Sequence, residues 1–228
     1  MNAPPDIFTD RSLRREALEP LCRDGRAAVL TGCDLAAADL SRLDLTGWRF
    51  DRCALGGALF DGARLEDAVF TNCRAAGARF VAADLLDTAV EGGDFSNTSF
   101  RRATLTAASF KGCKMTGADF TDARPFAVTF DEVLLILATL RKFPFRKAVL
   151  RQVDFGEADL RACDFRDAVF EDCSLRGADL TGCRFDNADL RGADLGGIKL
   201  VDATRFKGAV ISKRQAADLL GQLGLNVR

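Results

Sequence analysis

Apolar residues recur at every fifth position of this chain, in one unbroken frame from Leu30 to Phe120 and again from Leu150 to Leu200. The first run reads Leu30, Leu35, Leu40, Leu45, Phe50, Leu55, Phe60 and Leu65; the second reads Leu150, Phe155, Leu160, Phe165, Phe170 and Leu175. Two positions before each stands a second, small or apolar series, including Ala38, Cys53, Ala58, Ala63, Cys73, Ala78, Ala158 and Ala178. A period of five matches neither the 3.6 of an α-helix nor the 2 of a strand. It matches a solenoid, in which each repeat buries one stripe against the next. The predicted fold class is therefore an all-β solenoid.

Sorting by twenty residues sets the number of sides. Leu45, Leu65, Leu85 and Leu105 then share one face, and Phe60, Phe80, Phe100 and Phe120 share the next; Phe50, Phe70 and Phe110 share a third, broken by Val90. Four repeats per turn sort the side chains by size, whereas three would mix them. Stacked rings and stacked leucines fill a narrow interior without voids. Residues outside the two series are expected to face solvent, with glycines such as Gly47, Gly77 and Gly117 at the corners.

Three segments depart from the pattern. Residues 1–27 carry Leu13, Ala17, Leu18 and Leu21 at helical spacing, predicting an N-terminal cap over the open end. Residues 28–124 form the first coil stack. At 125–147, Pro125 takes the place of an inward Leu or Phe. Asp131–Lys142 then reads as a helix with Val133, Leu134, Ile136, Leu137 and Leu140 on one broad face, ended by Pro144. A helical insert is expected there, either replacing a turn or projecting from the coil. Residues 148–211 form the second stack. Residues 212–228 begin with Ser212 and Gln215 at capping-box spacing, followed by Ala216, Leu219, Leu220 and Leu223 as an apolar stripe and Leu225 in a short tail.

The tandem Ala-Asp-Leu pattern, as in Ala38-Asp39-Leu40, Ala158-Asp159-Leu160, Ala178-Asp179-Leu180 and Ala193-Asp194-Leu195, resembles the pentapeptide-repeat family over roughly residues 28–124 and 148–210. The resemblance implies a right-handed quadrilateral β-helix, a handedness that periodicity does not supply. The C-terminal stretch Asp194-Leu195-Gly196-Gly197-Ile198-Lys199-Leu200, with Gln215 to Leu225, is similar to the ending of the Qnr-type fluoroquinolone-resistance proteins and their mycobacterial and albicidin-immunity relatives. That likeness implies a homodimer joined through Ala216, Leu219, Leu220, Leu223 and Leu225. It also implies a type II topoisomerase, gyrase or topoisomerase IV, as partner, protected from quinolones or toxins partly by an acidic surface imitating DNA. The alternative is an interaction scaffold with an unrelated target.

Charge refines this picture. The chain has 32 Lys and Arg against 33 Asp and Glu, so bulk charge favours no direct nucleic-acid or membrane partner. By segment, residues 148–204 hold 12 acids and 7 bases, against 13 and 11 in residues 28–124. The outward Asp154, Asp159, Asp164, Asp179, Asp189 and Asp194 are therefore the candidate acidic face, although Asp before the central Leu is also the repeat's own consensus. Arg141, Lys142, Arg146 and Lys147 give the insert a basic knob, a second candidate contact element.

Chemistry of other kinds finds little support. No histidine occurs, which removes the commonest general base and metal ligand. Of eight cysteines, Cys33, Cys53, Cys73, Cys113, Cys163, Cys173 and Cys183 fall in the inward series and none forms a C-x-x-C pair, so buried free thiols are expected rather than a metal site or disulfides. Without a phosphate-binding loop or a cleft holding paired carboxylates, the expectation is a non-enzymatic protein with no cofactor. The N-terminus lacks a basic-then-apolar leader and no stretch is long enough to span a bilayer, so a cytoplasmic location is expected.

Overall fold

The structure, a computed structural model, describes residues 5–197, 203–221 and 224–226. Contacts divide the chain into two units, residues 1–134 and 135–228. Each is a parallel-strand β-solenoid, and each is taken by itself below.

In the first unit, seven short strands stack in parallel: β1 (Asp6–Thr9), β2 (Ala28–Thr31), β3 (Arg49–Asp51), β4 (Val69–Thr71), β5 (Ala89–Glu91), β6 (Ser109–Lys111) and β7 (Thr129–Asp131). Leu30 pairs with Phe50, Phe50 with Phe70, and Phe110 with Phe130, so successive turns lie at the twenty-residue offset that the sequence predicts. The other three walls carry single bridges at the same offset, such as Asp44 with Arg64 and Asp39 with Leu59. Between turns the backbone hydrogen bonds repeat: Leu65 N–H donates to Asp84 and Arg64 N–H donates to Leu43.

Corners are left-handed. Residues two after nearly every inward Leu or Phe have positive φ, and among the described residues twenty-three of the positive-φ positions are not glycine. Most of these are Asp, Asn, Ala, Arg, Lys or Glu, and many of them, such as Ala37, Arg42, Asp67 and Asn72, donate their N–H to a carbonyl of the adjacent turn. Gly93 is under a stronger constraint, since with φ of 90° a β-carbon there would stand 2.2 Å from the Cys73 carbonyl oxygen.

Inside, the rings stack by column. Phe60 lies 4.6 Å from Phe80 and Phe80 lies 5.2 Å from Phe100, nearly parallel; Phe50 and Phe70 stack at 4.7 Å, and Phe60 meets Phe70 edge-on at 5.9 Å. The second inward series has its own chemistry. Cys53 Sγ donates to the Leu30 carbonyl at 3.3 Å and Cys73 to the Phe50 carbonyl at 3.2 Å, while Thr88 Oγ1 fills the same slot by donating to Leu65 at 2.7 Å. Small side chains able to reach that carbonyl therefore serve as well as alanine. All eight thiols are free, and burial pushes the Cys113 thiol up to about 12.

The N-terminal end holds a helix, as expected, and a strand that was not. β1 extends the sheet by one strand, with Phe8 opposite Leu30. Helix α1 (Arg15–Arg23) follows and buries Leu18 completely. Four residues too short for a periodicity hide β1 in the sequence.

The expected helical insert does not exist. Residues 125–134 continue the first unit, with Phe130 stacked on Phe110 at 5.2 Å and Leu134 bridged to Lys114. Residues 135–147 belong to the second unit as ordinary coil: Leu135 N–H donates to Asp154, Leu137 N–H to Gly156, and Phe145 stacks on Phe165 at 4.9 Å. Leu137 and Lys142 have φ of 59° and 62°, which an α-helix cannot accommodate. The apolar run satisfied both periods at once. The five-residue frame prevailed because Phe130, Leu135, Leu140 and Phe145 keep it, and because neighbouring turns offer unpaired backbone groups that a helix would leave unsatisfied.

The second unit continues with β8 (Val149–Arg151), β9 (Val169–Glu171), β10 (Cys173–Ser174) and β11 (Ala193–Asp194). Leu150 pairs with Phe170 and Cys173 with Ala193, again twenty apart. Phe165, Phe185 and Phe206 stack at 5.0 Å per step; the last step spans 21 residues and ends in a 3-10 turn, Ala203–Phe206. Helix α2 (Lys213–Gly221) closes this unit. Its capping box is formed, with Ser212 N–H donating to Gln215 Oε1 and Gln215 N–H to Ser212 Oγ. Gln215 then donates both amide hydrogens to the Leu190 and Ala193 carbonyls, 2.7 Å each, capping the last coil turn.

Candidate functional site

Every wall of the coil presents three outward positions per repeat, and aspartate is the commonest residue at the first of them. That carboxylate works locally before it can work on a partner. Asp159 Oδ1 accepts the Arg161 N–H, Asp164 that of Arg166, Asp179 that of Thr181, Asp189 that of Arg191 and Asp194 that of Gly196. Each is a turn cap supplied by the residue preceding the inward Leu or Phe.

The six aspartates expected to form an acidic face are placed on four walls. Asp154 and Asp194 share the wall backed by Phe155 and Leu195, Asp159 and Asp179 that backed by Leu160, Asp164 that backed by Phe165, and Asp189 that backed by Phe170. Five of them are ion-paired. Asp159 meets Arg161 at 2.8 Å and Arg141 at 2.5 Å; Arg161 also approaches Asp179 at 3.5 Å. Asp164 pairs with Arg166, Asp189 with Arg191 and Asp194 with Arg176. Only Asp154 has no ion pair among the described residues. Arginines two positions on, or about a turn before, thus screen the field that a segment count suggested.

These contacts have a measurable signature. Hydrogen bonds from Arg161, then from Arg141, hold the Asp159 carboxyl well below the usual carboxylate range. A folded-state value below the unfolded one stabilises the fold above about pH 4, and the contribution fades as pH falls further. Asp159→Asn keeps the turn cap and removes the charge. Melting temperature plotted against pH should fall less steeply on the acid side for this variant than for the parent. Superimposable acid limbs would refute the assignment.

The basic residues expected on an insert, Arg141, Lys142, Arg146 and Lys147, are divided between ion pairs and open corners of the coil. Arg141 is tied to Asp159 and Arg146 reaches Asp167 at 3.5 Å, whereas Lys142 and Lys147 stand exposed at successive left-handed corners. At the C-terminus Leu219 is buried within its own unit, Ala216 is half-buried, and Leu220 and Leu225 are exposed; Leu223 lies outside the described residues.

A more strongly charged surface lies in the first unit, on the wall backed by Leu45, Leu65 and Leu85. Asp44, Glu66, Asp67, Asp84 and Asp87 face outward there against a single base, Arg64, which bridges Asp44 at 3.0 Å and Glu66 at 3.6 Å. Asp67 and Asp87 occupy equivalent corners one turn apart, both exposed and in no ion pair among the described residues. Counting charge by segment hid this wall, because bases on the neighbouring walls cancel it. Counting by column modulo twenty would have found it.

Among the described residues no three His, Cys, Asp or Glu side chains come together as metal ligands. A pocket of about 230 Å3 lies beside α2, lined by Arg176, Asp194, Gly196, Arg214, Gln215 and Leu219, and Arg176 and Asp194 are already paired with each other. No helix among the described residues is long and apolar enough to cross a membrane.

Regular walls of capped, ion-paired corners around a phenylalanine and leucine core define a four-sided parallel β-solenoid that presents side chains outward. Family models agree: a pentapeptide repeat region matches residues 43–120, and a model of eight pentapeptide repeats matches 130–167 and 168–204. The chain belongs to the pentapeptide-repeat family. Among solved structures it is similar to full-length QnrB1, described as a plasmid-mediated fluoroquinolone resistance protein, at 20% identity, covering 96% of this chain and 100% of that one, with a TM-score of 0.75. A trypsin-treated QnrB1 variant matches at 23% identity, over 97% and 100% of the two chains, with a TM-score of 0.61. A search of curated proteins gives no significant sequence match.

Proposed function

We propose that this chain is a non-enzymatic, cytoplasmic binding protein that engages a type II topoisomerase, gyrase or topoisomerase IV, and relieves its inhibition by quinolones or toxins. The observation that carries this reading is the fold likeness to QnrB1 over that protein's entire length. The C-terminal capping box, the exposed Leu220 of α2 and the exposed Leu225 after it are consistent with a homodimer joined there. Leu219 contributes by packing within its own unit.

The contact surface we assign is the wall of Asp44, Glu66, Asp67, Asp84 and Asp87. Its carboxylates outnumber its bases, and a basic groove would meet them across a short screening length. Asp159, Asp164, Asp179, Asp189 and Asp194 of the second unit, neutralised by their arginines, are less suited to imitating phosphates. That neutralisation also favours a second reading, a scaffold for an unrelated target.

One assay separates the two. Gyrase supercoiling would be measured with a quinolone, with and without micromolar protein, and with the double variant Asp67→Lys, Asp87→Lys. Protection by the parent and at least about a tenfold weaker effect of the variant, growing smaller with added salt, is expected. No protection by the parent would move the assignment to the scaffold reading.

A further inference from the structure

The repeat around Leu135 is apolar on both sides. Inside, Val133 and Leu135 are fully buried, as the frame requires. Outside, in the second unit, Ile136 is half-buried and Leu137 is 57% exposed. Elsewhere among the described residues the left-handed corner holds Gly, Ala or a polar residue, and Leu137 is the one large aliphatic side chain with positive φ there. A leucine gains nothing there for folding. It leaves apolar surface in water, and its β-carbon disfavours the backbone conformation. Its neighbours in the next turn are specific as well. Leu137 N–H bonds to Gly156, whose missing side chain leaves the Ile136 flank open, and Asp154 and Glu157 stand on either side of that glycine. Neither carboxylate is in an ion pair among the described residues, in contrast to the paired aspartates of the adjoining wall.

We propose that Ile136, Leu137, Asp154 and Glu157 form a docking site for an amphipathic segment of a partner protein, one whose aliphatic side chain covers Leu137 and whose Lys or Arg residues meet the two carboxylates. Charge complementarity selects this occupant over a second copy of the chain, which would bring Asp154 and Glu157 against their own equivalents. Strained backbone that carries exposed apolar surface is a feature found at binding sites rather than one that folding selects. The site lies outside the acidic wall assigned above and does not depend on the identity of the topoisomerase.

The probe is a synthetic amphipathic helical peptide of Leu and Lys, with two controls of the same pattern, Leu with Glu and Ser with Lys. Binding to the full chain is read by fluorescence anisotropy. The Leu/Lys peptide should bind the parent in the micromolar range, and the controls should not. Leu137→Asn suits the left-handed corner and Glu157→Lys repeats what Lys142 and Lys147 already do at theirs, so both variants should keep the parent melting temperature and bind about tenfold more weakly. Absence of Leu/Lys binding, equal binding of Ser/Lys, or binding untouched by both substitutions overturns the proposal. A sedimentation mass that falls to the monomer in Leu137→Asn also overturns it, since the occupant would then be a second copy.

Discussion

Phe80→Ala should destabilise the protein by about 3–5 kcal/mol, the range for removing a fully buried ring that its surroundings cannot refill. Phe80 stands between Phe60 and Phe100 at 4.6 and 5.2 Å and meets Phe70 edge-on at 5.9 Å, so one substitution removes three ring contacts. Collapse is blocked because the hydrogen bonds from Phe80 N–H to Ser99 and from Arg79 N–H to Ala58 fix the spacing of the turns. Phe80→Leu should recover much of the loss, since Leu65 and Leu85 fill the same interior. Chemical denaturation of the three proteins checks this. A loss below about 1 kcal/mol for alanine would mean that the column is not the packed element described here.

Deleting residues 68–87 should leave a folded protein, and deleting Asn72 alone should not. The longer deletion removes one whole turn: Asp67 would join Thr88 with both series in phase, Phe60 would stack on Phe100, and Phe50 would meet Val90 as Phe70 now does. In a stacked architecture the cost is one turn's interface. Loss of Asn72 displaces every later residue by one position, which turns inward side chains outward. Circular dichroism and thermal melting should show a cooperative transition for the first variant and aggregation or none for the second. If both fold alike, the twenty-residue register does not govern the fold.

Much of the fold was legible because the signal was redundant: dozens of residues repeat one frame, and a column such as Phe60, Phe80 and Phe100 confirms itself. The helix expected at Asp131–Lys142 failed for a related reason. Val133, Leu134, Ile136, Leu137 and Leu140 fit helical spacing only because the outward positions there are also apolar, and local periodicity cannot tell a two-sided repeat from an amphipathic helix. Strand β1 was missed because it borrows its register from β2 rather than carrying one of its own. The capping box at Ser212 and Gln215 was readable, yet the role of Gln215 in closing the last turn depends on carbonyls of Leu190 and Ala193 that sequence does not place beside it. The candidate site was read least well. Ion pairing joins residues two apart, as in Asp164 and Arg166, or about a turn apart, as in Arg141 and Asp159, so a segment's net charge says little about any wall.

Parallel stacking at a fixed twenty-residue offset separates two alphabets within each repeat: one is confined to the interior, and the other is free to vary. A lineage built this way can lengthen by in-frame duplication of a single turn, or exchange turns as cassettes, while each wall acquires a new pattern of side chains. Diversity of targets then arises on an unchanged scaffold, by rewriting the outer letters of the repeat.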